Sequence, residues 1–233
     1  MVEIFCAWDF EYANSIFSRN TFHTNNHFYE TEYFVPQLKQ RCWWCGVDPT
    51  YVEYHDKEWG VPELDDRALF EKLILDGFQA GLSWITILKK REAFRKAFHN
   101  FDPHRMTKFD ARDIKRLLGN AGIIRSKSKI ESSIGNAQVW LKIMQGGKGS
   151  FRDFIWQHTN HRTMQNRFTR QRDIPTQTEQ SRAMAKALKI AGFKFCGPII
   201  CYAFMQAVGM TNDHLVSCPR HAKVHKLARK RSC

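Results

Sequence analysis

The chain runs to 233 residues, with 36 Lys and Arg against 23 Asp and Glu for a net charge of +13, and 43% of it is hydrophobic. That is enough material for one large buried core, and it excludes a miniprotein stapled by disulfides. No stretch approaches ~18 consecutive apolar residues, so no membrane span is expected, and residues 1–9 lack the basic and apolar regions of a secretory signal. Seven cysteines at irregular spacing (6, 42, 45, 196, 201, 218 and 233) point to metal ligands and core thiols in a cytoplasmic protein rather than to a disulfide framework. A basic excess of this size calls for an acidic partner, with nucleic acid ahead of a membrane surface. Residues 1–40 do not share it: they hold Arg19 and Lys39 against Glu3, Asp9, Glu11, Glu30 and Glu32.

Residues 1–40 also lack any period of 3.6 or 2 and carry six of the 18 Phe among scattered Asn, Ser and Thr. They read as an extension that is poorly ordered or packs loosely on the body. From Cys42 the pattern turns helical. Asp65 or Asp66 can cap a helix in which Leu69, Phe70, Leu73 and Ile74 share a face. The next run turns Trp84, Ile87, Leu88, Phe94 and Phe98 inward and Lys89, Lys90, Arg91, Arg95 and Lys96 outward. Asp110 opens a short helix ending near Asn120, and Ile130, Ile134, Ala137 and Leu141 mark a longer one from Ser126 to about Ile143. Residues 151–158 form another, and polar residues 160–178 a connection. Residues 179–190 form a helix stopped by Gly192, and Pro198 opens the next, which runs to about Val208. Residues 219–233 read as a disordered basic tail. No strand-like alternation lasts five residues, so the expected fold class is all-α.

Two pairs have the chemistry of metal ligands. Cys42 and His55 open the helical body, and His214 and Cys218 close it. Two thiolates and two imidazoles make a tetrahedral set suited to a structural Zn²⁺, which would tie the ends of the domain together and leave no open position for water. Cys45 and His221 stand at ligand-like spacings too, and spacing alone leaves the choice open. A second constellation is aromatic: Trp43, Trp44, Tyr51, Tyr54 and Trp59 crowd together, and Trp84 follows. Such rings fill cores, and beside basic helices they can stack on an extruded base. Asp76 ends an apolar helix, where the macrodipole disfavours a carboxylate, so a site role would explain its presence. The third element is Gly-Phe-Lys-Phe-Cys-Gly at 192–197, between two helices. Its backbone N–H groups, the next helix N-terminus and Lys194 could hold a phosphate.

These residues fall in five long segments, at 41–62, 75–92, 121–137, 192–209 and 212–218, through which the chain resembles the 3-methyladenine-DNA glycosylase I (Tag) family of base-excision enzymes. The resemblance implies a glycosylase domain at 41–218 with a helix-hairpin-helix fold and one structural zinc per chain on Cys42, His55, His214 and Cys218. It also implies a monomer acting on double-stranded DNA with alkylated bases, hydrolysing the N-glycosidic bond of 3-methyladenine. The base pocket falls on Trp44, Tyr51, Tyr54, Asp76 and Trp84. Asp76 is its functional carboxylate, standing where the family often has Glu. Gln79 and Leu82 fall where the family fills the gap left by the flipped nucleotide, and the DNA-gripping hairpin falls on Gly192, Lys194 and Gly197. Wider helix-hairpin-helix glycosylases carry a catalytic Asp at a place that maps near Asn212, with Asp213 beside it; as in the Tag family, no acid is expected to act there. No Lys stands at a matched pocket position, so a lyase step is not expected. The same fold, charge and metal would also suit a damage-binding protein without turnover.

Overall fold

The computed structural model describes residues 41–147 and 149–231, so the expectation for residues 1–40 lies outside the described residues. Helix α2 (Asp66–Gln79) is the axis of the fold. Asp65, not Asp66, caps it by accepting from the N–H groups of Arg67 and Ala68, and every residue from Leu73 to Gln79 is buried. Around it pack α3 (Trp84–Ala97), α6 (Lys127–Gln145), α7 (Phe151–Trp156) and α9 (Pro198–Ala207). All five inward residues expected on α3 are buried, and the α2–α3 seam is a run of phenylalanines: Phe78 on Phe94, then Phe94 on Phe98 and Phe98 on Phe101. Such ring pairs add to the transfer free energy of the buried area.

The shorter elements are set by their caps. In α5 (Ala111–Gly119) the Asp110 side chain accepts from Asp113 N–H, and Asp113 returns a bond to Asp110 N–H. Helix α4 (Pro103–Met106) and helix α1 (Pro49–Lys57) were not foreseen, although both begin with Asp-Pro. In α1, Asp48 accepts from the N–H groups of Thr50 and Tyr51, and Pro49 supplies the preset first turn. Helix α8 (Glu179–Ala191) ends at Gly192 with φ +108°, a left-handed cap that glycine adopts without a Cβ penalty.

Two expectations need correction. The basic tail is α10 (Pro219–Arg231), with Val224 and Ala228 buried one turn apart; four apolar positions in thirteen were too few to show a period. The described residues are also not purely helical. Met164–Gln165 pairs in parallel with Thr211–Asn212, tying the polar connection after α7 to the segment that carries His214. The pairs are two residues long, below what alternation can reveal, and the fold is otherwise mostly helical. Among the described residues no helix is long and apolar enough to cross a membrane.

Candidate active site and metal centre

Cys42, His55, His214 and Cys218 meet as one buried group whose ligand atoms all lie within 4.8 Å of one another. Cys42 Sγ lies 3.6 Å from His214 Nδ1, and Cys218 Sγ lies 3.5 Å from His55 Nε2 and 3.7 Å from His214 Nδ1. The far nitrogen of each imidazole is tethered. His55 Nδ1 is 2.8 Å from Asp56, whose carboxylate Arg41 holds below its ordinary range, and His214 Nε2 is 3.1 Å from the carbonyl of Trp59. Those bonds select the tautomers that leave His55 Nε2 and His214 Nδ1 facing the sulfurs. Burial lowers the His214 pKa, favouring the neutral ring that a metal needs. The two thiols share charge: the hydrogen bond from Cys42 draws Cys218 towards thiolate, and the same contact pushes Cys42 up. Cys45 and His221 stand outside the group. Cys45 Sγ donates to the carbonyl of Cys42, and His221 Nε2 bonds the carbonyl of Asn166 at 2.8 Å. The four clustered residues could therefore hold a metal ion.

One wall of that centre is aromatic and continues into the second constellation. Trp59 meets His214 edge-on at 4.5 Å, and Trp44 lies 5.3 Å from His55 and 5.0 Å from Trp59. Helix α1 puts Tyr51, Tyr54 and His55 on one face by their spacing of three and four, so a single helix serves both sites. Trp44 packs on Tyr51 at 5.0 Å and on Tyr54 at 6.2 Å, and Tyr54 packs on Trp84 at 5.5 Å. Trp84 opens α3 and is reached by the end of α2. The structure thus brings Trp44, Tyr51, Tyr54, Trp84 and Asp76 into one connected cluster, leaving Trp43 outside it, 37% exposed.

Asp76 is 2% exposed. Its Oδ1 accepts from the ammonium of Lys72, one turn earlier on α2, and that ammonium lies 3.8 Å from the centroid of the Trp84 ring. Asp76 Oδ2 and Trp84 Nε1 are buried with no hydrogen-bond partner among the described residues. Burial pushes the Asp76 carboxyl up and the Lys72 ammonium down, and their mutual attraction opposes both shifts. Lys72 lies outside the segments matched in the sequence, so its place beside Asp76 and Trp84 was missed; a Lys four residues before an Asp on an apolar helix was the signal.

Gln79 and Leu82 do not protrude together. Leu82 is exposed on the crest between α2 and α3, whereas Gln79 is buried at the end of α2. The segment between α8 and α9 is held from below by Asn136 of α6, whose Oδ1 accepts from Lys194 N–H at 2.8 Å and whose Nδ2 donates to the Lys194 carbonyl at 3.0 Å. Lys194, Gly192 and Gly197 remain exposed, and α9 begins at Gly197 without a side-chain cap. Asn212 and Asp213 are buried. Asp213 accepts from Tyr202, Gln206, Asn166 and Thr211, all within 2.8 Å.

A family model described as methyladenine glycosylase matches residues 44–221. The chain is 51% identical to DNA-3-methyladenine glycosylase 1 of Escherichia coli strain K12 over 179 residues, which are 77% of this chain and 95% of that protein. It is 50% identical to the DNA-3-methyladenine glycosylase of Haemophilus influenzae over 182 residues, 78% of this chain and 98% of that one. Among solved structures, a crystal structure of 3-methyladenine DNA glycosylase I superposes with a TM-score of 0.76 at 52% identity, covering 77% of this chain and 98% of that chain. A variant of such an enzyme solved with 3-methyladenine superposes at 0.72 with 39% identity, covering 74% of this chain and 92% of that one. With a matched span that takes in the aromatic cluster, Asp76, the α8–α9 turn and three of the four clustered ligands, the chain belongs to the methyladenine glycosylase family.

Proposed function

We propose that the protein is a DNA repair glycosylase. It would flip the nucleotide out of alkylated double-stranded DNA and hydrolyse the N-glycosidic bond of 3-methyladenine, the first step of base-excision repair. The observation that carries this reading is the buried, half-satisfied carboxylate of Asp76 inside a cluster of four aromatic rings. Its free Oδ2 can accept from the exocyclic amine of adenine, and the unpartnered Trp84 Nε1 is a donor for a ring nitrogen. Methylation at N3 makes the base cationic and weakens the bond to the sugar, so extrusion, selection and electrostatics supply most of what the reaction needs. A cationic ring against Trp44, Tyr51, Tyr54 or Trp84 gains ~0.5–2 kcal/mol per contact.

The metal is read as one structural Zn²⁺ per chain on Cys42, His55, His214 and Cys218. The sulfur–nitrogen separations of 3.5–3.7 Å support this, since a tetrahedron with Zn–S of about 2.3 Å and Zn–N of about 2.0–2.1 Å has edges of about 3.6 Å. The α8–α9 pair is read as the helix-hairpin-helix that grips a phosphate through Gly192, Lys194 and Gly197. Leu82 is the wedge that fills the vacated stack, with Gln79 behind it. The working unit is residues 41–218, acting as a monomer in the cytoplasm.

The direct test is release of free base from N-methylated duplex DNA, resolved by chromatography, with wild type beside Asp76→Ala. The expected result is release of 3-methyladenine with little 7-methylguanine, and loss of that release in the variant. Undiminished release by Asp76→Ala would remove the carboxylate from the pocket. No release by folded, metal-loaded wild type would make the protein a damage binder without turnover.

A further inference from the structure

Helix α6 holds both the end of α2 and the α8–α9 turn, each through one side chain. Lys129, Ser133 and Asn136 stand at spacings of four and three, so they share a face of that helix. Asn136, 4% exposed, holds the α8–α9 turn through both backbone groups of Lys194. Lys129 does the equivalent for α2. A helix end leaves its last carbonyls without intrahelical partners. At the end of α2 the carbonyls of Gly77 and Gln79 accept from the N–H groups of Ala80 and Leu82, and those of Phe78 and Ala80 accept from the Lys129 ammonium at 2.9 and 2.6 Å. The macrodipole favours a cation there. No carboxylate pairs with Lys129 among the described residues, and burial pulls its pKa down. The two held parts also touch: Phe195, in the left-handed region at φ +54°, lies so near α2 that a Cβ on Gly77 would come within 3.2 Å of its own Cβ. Helix α2, the α8–α9 turn and α6 thus close a triangle, with Leu82 just beyond the corner that Lys129 holds.

We propose that Lys129 is a positioning residue for nucleotide extrusion, bracing the crest that carries Leu82 against the α8–α9 turn that Asn136 holds. The proposal rests on the reading of Leu82 as the wedge and of that turn as the phosphate grip. A duplex gripped at its backbone is opened only if the wedge keeps its distance from the grip; a crest that yields takes up the motion itself and leaves the base stacked. Gly81, at φ +82° with nothing within 4 Å of where a Cβ would stand, gives the crest no support of its own. The base pocket does not need the brace: Asp76 lies within the body of α2, and Trp44, Tyr51 and Tyr54 come from the turn Trp43–Cys45 and from α1.

Lys129→Met keeps the length of the side chain and removes both donors. On the full-length protein it is compared with wild type by the Kd for free 3-methyladenine, read by tryptophan fluorescence, and by single-turnover release of base from N-methylated duplex. A 2-aminopurine placed beside an abasic analogue in a duplex reports local unstacking, and Leu82→Ala is the reference for a lost wedge. Lys129→Met should bind the free base as wild type does, slow release by about ten- to a hundredfold, and lose the 2-aminopurine rise as Leu82→Ala does. Lys129→Arg, with donors for both carbonyls, should regain most of the release. A wild-type rise in Lys129→Met, with Leu82→Ala defective, would overturn the proposal and leave the wedge standing. No rise with wild type, or a wild-type rise in both variants, would overturn the wedge and the proposal with it. A fall of ~0.9 in the salt slope of duplex affinity would make Lys129 a phosphate contact, and weaker binding of the free base would make it a support of the pocket; either overturns the positioning role. Lys129→Gln, too short to span both carbonyls, is read in the same way should Met disturb the fold.

Discussion

Asp213 and Asp76 are both buried carboxylates, and their surroundings separate their roles. Asp213 is saturated: Tyr202 Oη donates at 2.5 Å, Asn166 Nδ2 at 2.7 Å, and Gln206 Nε2 and Thr211 Oγ1 at 2.8 Å. A carboxylate with that many donors has no lone pair left to take a proton from water, so its role is to fix the segment between α9 and His214. Asp213→Asn turns one acceptor into a donor facing donors. It should cost ~2–3 kcal/mol of stability and lower Tm by about 5–10 °C, while kcat of the folded variant stays within about tenfold. A loss beyond about a thousandfold, the scale of a lost general base, would make Asp213 catalytic. Asp76 is the opposite case, with one oxygen held and the other free. Its prominence could be read from the sequence, because a carboxylate ending an apolar helix needs a reason. The state of Asp213 could not, since its donors come from residues as far away as Asn166 and meet it only through the parallel pairing of Met164–Gln165 with Thr211–Asn212.

At the scale of elements, most helices were legible because their caps and apolar spacing are local, as with Asp65 before α2, Asp110 before α5 and Gly192 after α8. Helix α10 was not, because it is held by docking: Val224 packs beside Gly60, and the carbonyl of His221 accepts from Asn212 Nδ2. That docking places α10 directly after Cys218, so the clustered ligands join four pieces of chain: the short 3-10 turn Trp43–Cys45, α1, the segment after the second strand, and the start of α10. A metal there closes a loop of more than 150 residues and braces Trp44 and Trp59 from behind. Chelation, or Cys218→Ser, should therefore release one metal per chain and lower Tm by about 10 °C or more. It should also weaken binding of free 3-methyladenine through the loosened Trp44. Full stability in a protein that contains no metal would remove the centre from the account.

For the whole molecule, a net charge of +13 overstates what is available to DNA. The basic face of α3 is largely spent on internal partners: Lys89 pairs with Asp48, Arg91 makes a forked pair with Glu58, Arg95 bridges Glu71 and Glu92, and Lys90 donates to the carbonyl of Ala121. Sequence reading could not see this, because Glu58 and Asp48 lie more than thirty positions away from their partners. The cations left without an ion pair among the described residues include Lys186 and Lys189 on the exposed side of α8, and Lys194 in the turn that follows. Helix α10 carries a second free set, Lys223, Lys226, Arg229 and Lys230. If the α8–α9 pair grips the duplex, the first set meets phosphates and the second does not. The salt dependence of affinity separates them, since each phosphate contact adds ~0.9 to the slope of log K against log salt on B-form DNA. Replacing Lys186, Lys189 and Lys194 together by Ala should flatten that slope by about 2–3 and weaken binding alike on damaged and undamaged duplexes. Replacing Lys226 and Lys230 by Ala should leave the slope unchanged. The reverse pattern would move the DNA to the face formed by α10 and the metal centre, and the hairpin would then have no part in holding it.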